Sequence, residues 1–158
     1  MLGGLLRERK AAIAERWLAS LLDTYGDDAA AFFKKRKNRF ANPVGQTYAE
    51  SSRAVLDEIL GDMDTERVCR HLDEIVKIRA VQEFTPAKAL AFVFSLKDLI
   101  REEIGDDAAG PETAGDLREI DVRIDQLALF AFDIYVMRRE QVYSLRLNEI
   151  RKGYVKPA

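Results

Sequence analysis

The sequence holds one histidine, His71, and one cysteine, Cys69. At this spacing a helix sets the two on roughly opposite faces, so they do not form a nucleophile–base dyad. No serine-centred motif accompanies His71. Phosphate chemistry would need a glycine-rich loop between a strand and a helix. GxxxxGK does not occur, and Gly3-Gly4 opens no such unit. Carboxylate pairs such as Glu102-Glu103 and Asp106-Asp107 sit where solvated helix ends and loops are expected. A two-iron site in a helical bundle needs a Glu-x-x-His on each of two helices, and one histidine cannot supply both. One cysteine also rules out an intramolecular disulfide and a cysteine-rich metal site. The expectation is therefore no enzyme: no catalytic residues, no metal ligands and no resident cofactor.

Two features still invite a ligand. His71 borders an apolar stripe made by Val68, Leu72 and Ile75. In a globin-like helical fold a lone histidine can ligate haem, so a haem or another apolar ligand in a helical pocket is the alternative reading. The run Lys34 to Arg39, KKRKNR, carries five basic residues in six. It could meet an acidic partner, nucleic acid or anionic lipid. It could equally be a solvated helix end, where the helix dipole favours cations. No aromatic platform interleaves with it, so nucleic acid is not the expected partner.

The composition sets the frame for these residues. The chain has 158 residues, 47% hydrophobic and 33% charged, with a net charge of −2. That is the balance of one globular domain, large enough to bury a core without a metal or a disulfide. We expect a single helical domain over residues 1–158, with its core over about 5–145. The near-neutral charge gives no global drive toward nucleic acid. Arg7, Glu8, Arg9 and Lys10 interrupt any apolar signal segment. No uncharged apolar run approaches the ~20 residues of a membrane span. A cytoplasmic protein is expected.

Helical periodicity dominates the sequence, and strand and hairpin signals are almost absent. The first helix should run from about Leu2 to Thr24 on a stripe of Leu6, Ile13, Trp17 and Leu21, ended by Gly26. A short second helix should follow, with Asp27 as its cap and Phe32, Phe33 and Phe40 as its apolar face. Asn42-Pro43 and Thr85-Pro86 each read as a capping residue followed by a proline at the first helical position. They open a third helix, which ends at Gly61, and a fifth helix. The fourth lies between them, over about Thr65 to Glu83. The fifth is apolar nearly all round through Phe94, so it should be the central helix, with Phe92 and Phe94 both in the core. An acidic loop over Gly105 to Gly115 should precede a last helix from Asp116 to about Gly153. The result is an all-α fold of about six helices, globin-like or a related orthogonal bundle.

The segments RFANPVGQTYAES and EIVKIRAVQEFTPAKALAFVFSLKDLIREEI carry a family resemblance. Phe40, Asn42-Pro43-Val44-Gly45 and Thr47, with Arg79-Ala80, Gln82-Glu83-Phe84 and Pro86, resemble the two signatures of the RsbRD-type N-terminal domain of RsbT co-antagonist proteins of the stressosome. The likeness covers roughly Leu5 to Leu145. It implies a non-haem, globin-like sensor domain of bacterial signalling that forms dimers and acts on regulatory protein partners without catalysis. In the full-length pattern a phosphorylatable regulatory domain would begin near Ala158, so no phosphorylated residue carries over. The chain is either a free-standing version or part of a longer protein. Asn42, Thr47, Arg79 and Gln82 mark a possible ligand or partner pocket. If buried, their polar groups should find one another or a bound anion.

The last helix suggests the assembly. At 1.5 Å per residue it would span roughly 57 Å, longer than a compact domain about 40 Å across. Its far end would carry Tyr143, Leu147, Ile150 and Tyr154 at helical spacing, with Val142 and Leu145 flanking. Either this stripe is the interface of a homodimer, or it packs under Leu2, Leu5 and Leu6 of the first helix. His71 gives a separate test: haem reconstitution should yield no saturable Soret band that His71→Ala abolishes, and the appearance of such a band would reverse that expectation.

Overall fold

A computed structural model describes residues 3–25, 42–82 and 84–153. The expected short second helix, with Gly26, Asp27, Phe32, Phe33 and Phe40, lies outside these residues, as do the basic run Lys34 to Arg39 and Tyr154. All regular structure among the described residues is helical: α1 (Gly4–Glu8), α2 (Lys10–Asp23), α3 (Pro43–Leu60), α4 (Thr65–Val81), α5 (Pro86–Ile104), a 3-10 turn (Gly105–Ala108) and α6 (Pro111–Arg151). None of these helices is long and apolar enough to cross a membrane.

The first expected helix is interrupted at Arg9, whose backbone leaves helical geometry (φ −92°, ψ 1°). Its side chain reaches across to α5 and donates to Glu103 O at 3.0 Å. The two proline starts form as the sequence indicates. Asn42 Oδ1 accepts from Gly45 N at 2.9 Å, and Thr85 Oγ1 accepts from Lys88 N at 3.2 Å. Asp64 caps α4 in the same way, through Arg67 N. The last helix starts earlier than expected, at Pro111, because Gly110 turns the chain and Pro111 fits the first helical position. The acidic loop is therefore confined to a 3-10 turn that follows Gly105. That glycine ends α5 with a φ of +56°, a conformation other residues adopt only with strain.

The five longer helices close into a ring in the order α2, α3, α4, α6, α5, each packing mainly on its two ring neighbours. Their inward stripes meet in one apolar cluster. α2 contributes Ile13, Trp17 and Leu21, and α3 contributes Tyr48, Val55 and Ile59. Val68, Leu72, Ile75 and Val76 come from α4, and Leu117, Ile120, Ile124 and Leu127 from α6. Antiparallel register between α5 and α6 is fixed by Lys97–Asp125 and Arg101–Asp121, and between α4 and α6 by the two-pronged Arg138–Asp73 pair. α5 is not the central helix. It buries Leu90, Phe92, Val93, Leu96 and Ile100, but Phe94 is 54% exposed. Two residues along a helix is a rotation of about 200°, so Phe92 and Phe94 cannot share one core. Run-length hydrophobicity overstated that helix's burial.

Gly45 has a role different from helix packing. A Cβ there would lie 2.2 Å from Asn42 Nδ2 and 2.7 Å from Cγ. The glycine is the space into which the Asn42 cap folds. Asn42→Ala should cost about 0.5–2 kcal/mol. Gly45→Ala should be destabilising alone, because it evicts the cap, yet neutral or stabilising by about 0.5–1 kcal/mol in the Asn42→Ala background. Additive effects in a denaturant double-mutant cycle would contradict this coupling.

Candidate functional site

At one end of the ring α2 and α4 finish while α3 and α5 begin. Arg79, in the last turn of α4, points inward there and is fully buried. It belongs to the apolar stripe of Val68, Leu72, Ile75 and Val76, so helical periodicity itself carries the guanidinium into the core. Its Nη2 donates to Leu21 O at 2.9 Å. That carbonyl lies in the last turn of α2, where intrahelical donors have run out and the helix dipole is negative. The guanidinium carbon lies 5.5, 5.4, 5.5 and 5.7 Å from the ring centres of Tyr25, Tyr48, Phe84 and Phe92. The negative faces of these rings favour a cation. Among the described residues no carboxylate pairs with Arg79, and its Nε and Nη1 have no hydrogen-bond partner.

A polar chain runs beside this cage. The Tyr25 and Tyr48 hydroxyls are in hydrogen-bond contact, and Tyr25 also donates to Gln82 Oε1 at 2.6 Å. Burial pushes the Tyr48 phenol well above the ordinary tyrosine range, against the lowering effect of Arg79's charge. Of the four residues expected to form a pocket, Arg79 and Gln82 thus meet at one site, through the tyrosines. Asn42 is spent on capping α3. Thr47 stands half-buried outside this network. The tyrosines and Phe84 gave no pattern at helical spacing that singled them out, since they come from three separate segments.

Next to the cage, α2 and α5 enclose a cleft of about 250 Å³ lined by Ser20, Thr24, Lys88, Ala91, Phe92 and Ser95. Phe92 is shared with the cage. Its carbonyl accepts from Trp17 Nε1 and from Ser95 Oγ, both at 2.7 Å. Lys88 Nζ sits 4.8 Å above the Phe84 ring, whose other neighbour is Arg79.

The groups first considered for chemistry do not converge. His71 and Cys69 lie half-buried on α4. Burial and the charge of Asp133 push the Cys69 thiol up, away from the reactive thiolate. Among the described residues no three His, Cys, Asp or Glu side chains gather where a metal could sit.

The far end of α6 behaves differently from the rest of the chain. Tyr143, Leu147 and Ile150 are exposed. α1 does not cover them: Gly3 N donates to Asp116 Oδ2, at the opposite end of α6. Arg139 and Tyr135 tie α6 to the bundle here, Arg139 to Ala80 O and Tyr135 to Phe84 O.

A family model described as the RsbT co-antagonist protein rsbRD N-terminal domain matches residues 11–150. No curated protein and no solved structure gives a significant match.

The raised Tyr48 pKa has a consequence for stability. Below the unfolded tyrosine value of about 10 the contribution is fully present. Above it the unfolded chain ionises while the folded phenol holds its proton, so stability falls as pH rises. Between about pH 10 and 12 the loss from this one group should approach about 1.4 kcal/mol per pH unit. Urea unfolding across this range should show a shallower decline for Tyr48→Phe, and identical slopes would contradict the assignment.

Proposed function

The chain belongs to the family of the RsbT co-antagonist protein rsbRD N-terminal domain, and we propose that it is a non-enzymatic sensor and protein-interaction module of bacterial stressosome-type signalling. On this reading it works in the cytoplasm as a homodimer and presents α6 to regulatory protein partners.

The observation that carries the reading is that α6 has two apolar seams. Leu117, Ile120, Ile124, Leu127, Ala131 and Tyr135 face the core. Val122, Leu129, Val136, Tyr143 and Ile150 recur every seventh residue and are all exposed, with Phe132 beside them. A seven-residue apolar repeat is the pattern by which helices pair with helices. The second seam runs past Arg139, where nearly every described residue is solvent-facing. A short unsupported helix is marginal in water, so a second copy that covers this stretch also stabilises it. The α5–α6 register sets Phe94 level with Ala128 and Leu129, so its exposed ring widens the same face. A two-fold interface uses that face twice.

The test is sedimentation velocity at micromolar concentration. A dimer is expected, shifting to a folded monomer with Leu147→Glu plus Ile150→Glu or with Leu129→Lys plus Val136→Lys. A monomeric parent, or dimers that survive both pairs of changes, would rule the reading out.

A further inference from the structure

The cleft between α2 and α5 combines features that the helical packing does not require. Among the described residues its lining holds one cation, Lys88, and no acidic side chain. Three of its six lining residues are hydroxyl-bearing. Ser95 spends its proton on Phe92 O, which leaves it an acceptor toward Ser20, 3.4 Å away. Among the described residues no strong hydrogen bond claims the Ser20 or Thr24 hydroxyl proton; Ser20 has only the long contact to Ser95. Lys88 is in the first turn of α5, where the helix dipole adds positive potential. Phe92 also packs against Arg79, a buried guanidinium whose Nε and Nη1 have no hydrogen-bond partner and which pairs with no carboxylate among the described residues. Charge in so dry a setting is weakly screened. The cleft therefore has one cation in its lining and shares Phe92 with the cage of a second, with hydroxyl groups beside them.

We propose that this cleft binds a small oxyanion, a carboxylate or a phosphate, through the Lys88 ammonium and the Ser20 and Thr24 hydroxyls. Charge-assisted hydrogen bonds of this kind are the stronger class. At about 250 Å³, the space suits a metabolite-sized ion and not a polymer. The proposal deepens the sensor reading by naming the chemical class of what is sensed, but its test does not depend on the oligomeric state.

The experiment is amide NMR of the full chain, titrated separately with inorganic phosphate and with acetate and succinate, against chloride at matched ionic strength. The expected result is saturable shifts at Thr24, Lys88 and Ser95 with at least one oxyanion and none with chloride. Saturation by phosphate alone, or by the carboxylates alone, identifies which source supplies the ligand. Lys88→Met, which keeps the stem over Phe84, should weaken binding at least tenfold with the thermal midpoint unchanged. Thr24→Val should weaken it less. Shifts that track ionic strength, or binding that Lys88→Met and Thr24→Val both leave intact, would overturn the site. A dimer that binds no oxyanion removes this site alone, and a monomer that binds one removes the dimer alone.

Discussion

The bundle is held at its ends by arginines that donate to the last carbonyls of other helices. Arg79 of α4 reaches Leu21 O of α2, and Arg123 of α6 reaches Ile59 O and Gly61 O at the end of α3. Arg139 of α6 reaches Ala80 O of α4, and Arg9 reaches Glu103 O of α5. Each helix from α2 to α5 thus has its C-terminal end met by a cation from elsewhere in the chain. The physical reason is the same each time. The final carbonyls lack intrahelical donors, and the dipole concentrates negative charge there. Guanidinium suits the task because it offers several donors in a fixed plane and is weakly hydrated. Two of these links, Arg79 to α2 and Arg123 to α3, join helices that are not ring neighbours, so they tie the ring across its interior.

Arg79 is the extreme case because it is sealed from water. Removing an ion from water costs several kcal/mol even after the surroundings relax. Among the described residues no carboxylate offsets that cost. The offset comes from the α2 dipole, at most about 2 kcal/mol, and from aromatic faces, each of order 1–2 kcal/mol when desolvated. Lysine could not substitute, since its compact ammonium keeps its hydration more tightly and cannot present a flat face to four rings at once. The aromatic residues around Arg79 are thus more than packing material, and Tyr25, Tyr48, Phe84 and Phe92 depend on the arginine as much as it depends on them.

The sequence conveyed the helices well because their stripes follow the helical period and their starts follow local capping chemistry. Asn42-Pro43 and Thr85-Pro86 needed only neighbouring residues to act, and they formed as read. Phe94 failed because an unbroken apolar run does not say which side faces the core. At Arg9 the backbone angles depart from helical values while the Arg9 N to Leu5 O and Ile13 N to Arg9 O bonds persist, and no local sequence signal marks the spot. The same holds for the caps made by Arg123 and Arg139, which look like ordinary helix-surface arginines until the ring closes. Arg79 and Gln82 were legible as a pair, but the tyrosines that join them come from elsewhere in the chain, Tyr25 from the turn after α2 and Tyr48 from α3.

The cage and the second seam of α6 share a boundary. The turn between α4 and α5 presents Gln82 to Tyr25 on its inner side and the Phe84 carbonyl to Tyr135 on its outer side. Four residues after Tyr135, Arg139 holds Ala80 O, and beyond it most of α6 is exposed. A shift of that turn and of the last turn of α4 therefore acts on two α6 side chains, Tyr135 and Arg139, that precede its exposed end. The scale of such an effect is bounded. Each anchoring hydrogen bond is worth about 0.5–1.5 kcal/mol net, so breaking both would change a two-state balance in α6 by roughly 1–3 kcal/mol. That matches the ordinary range of coupling between sites, 5- to 150-fold by order of magnitude. It is small beside a packed core and large beside a marginal helical tail, so the tail of α6 is the element that such a change would move.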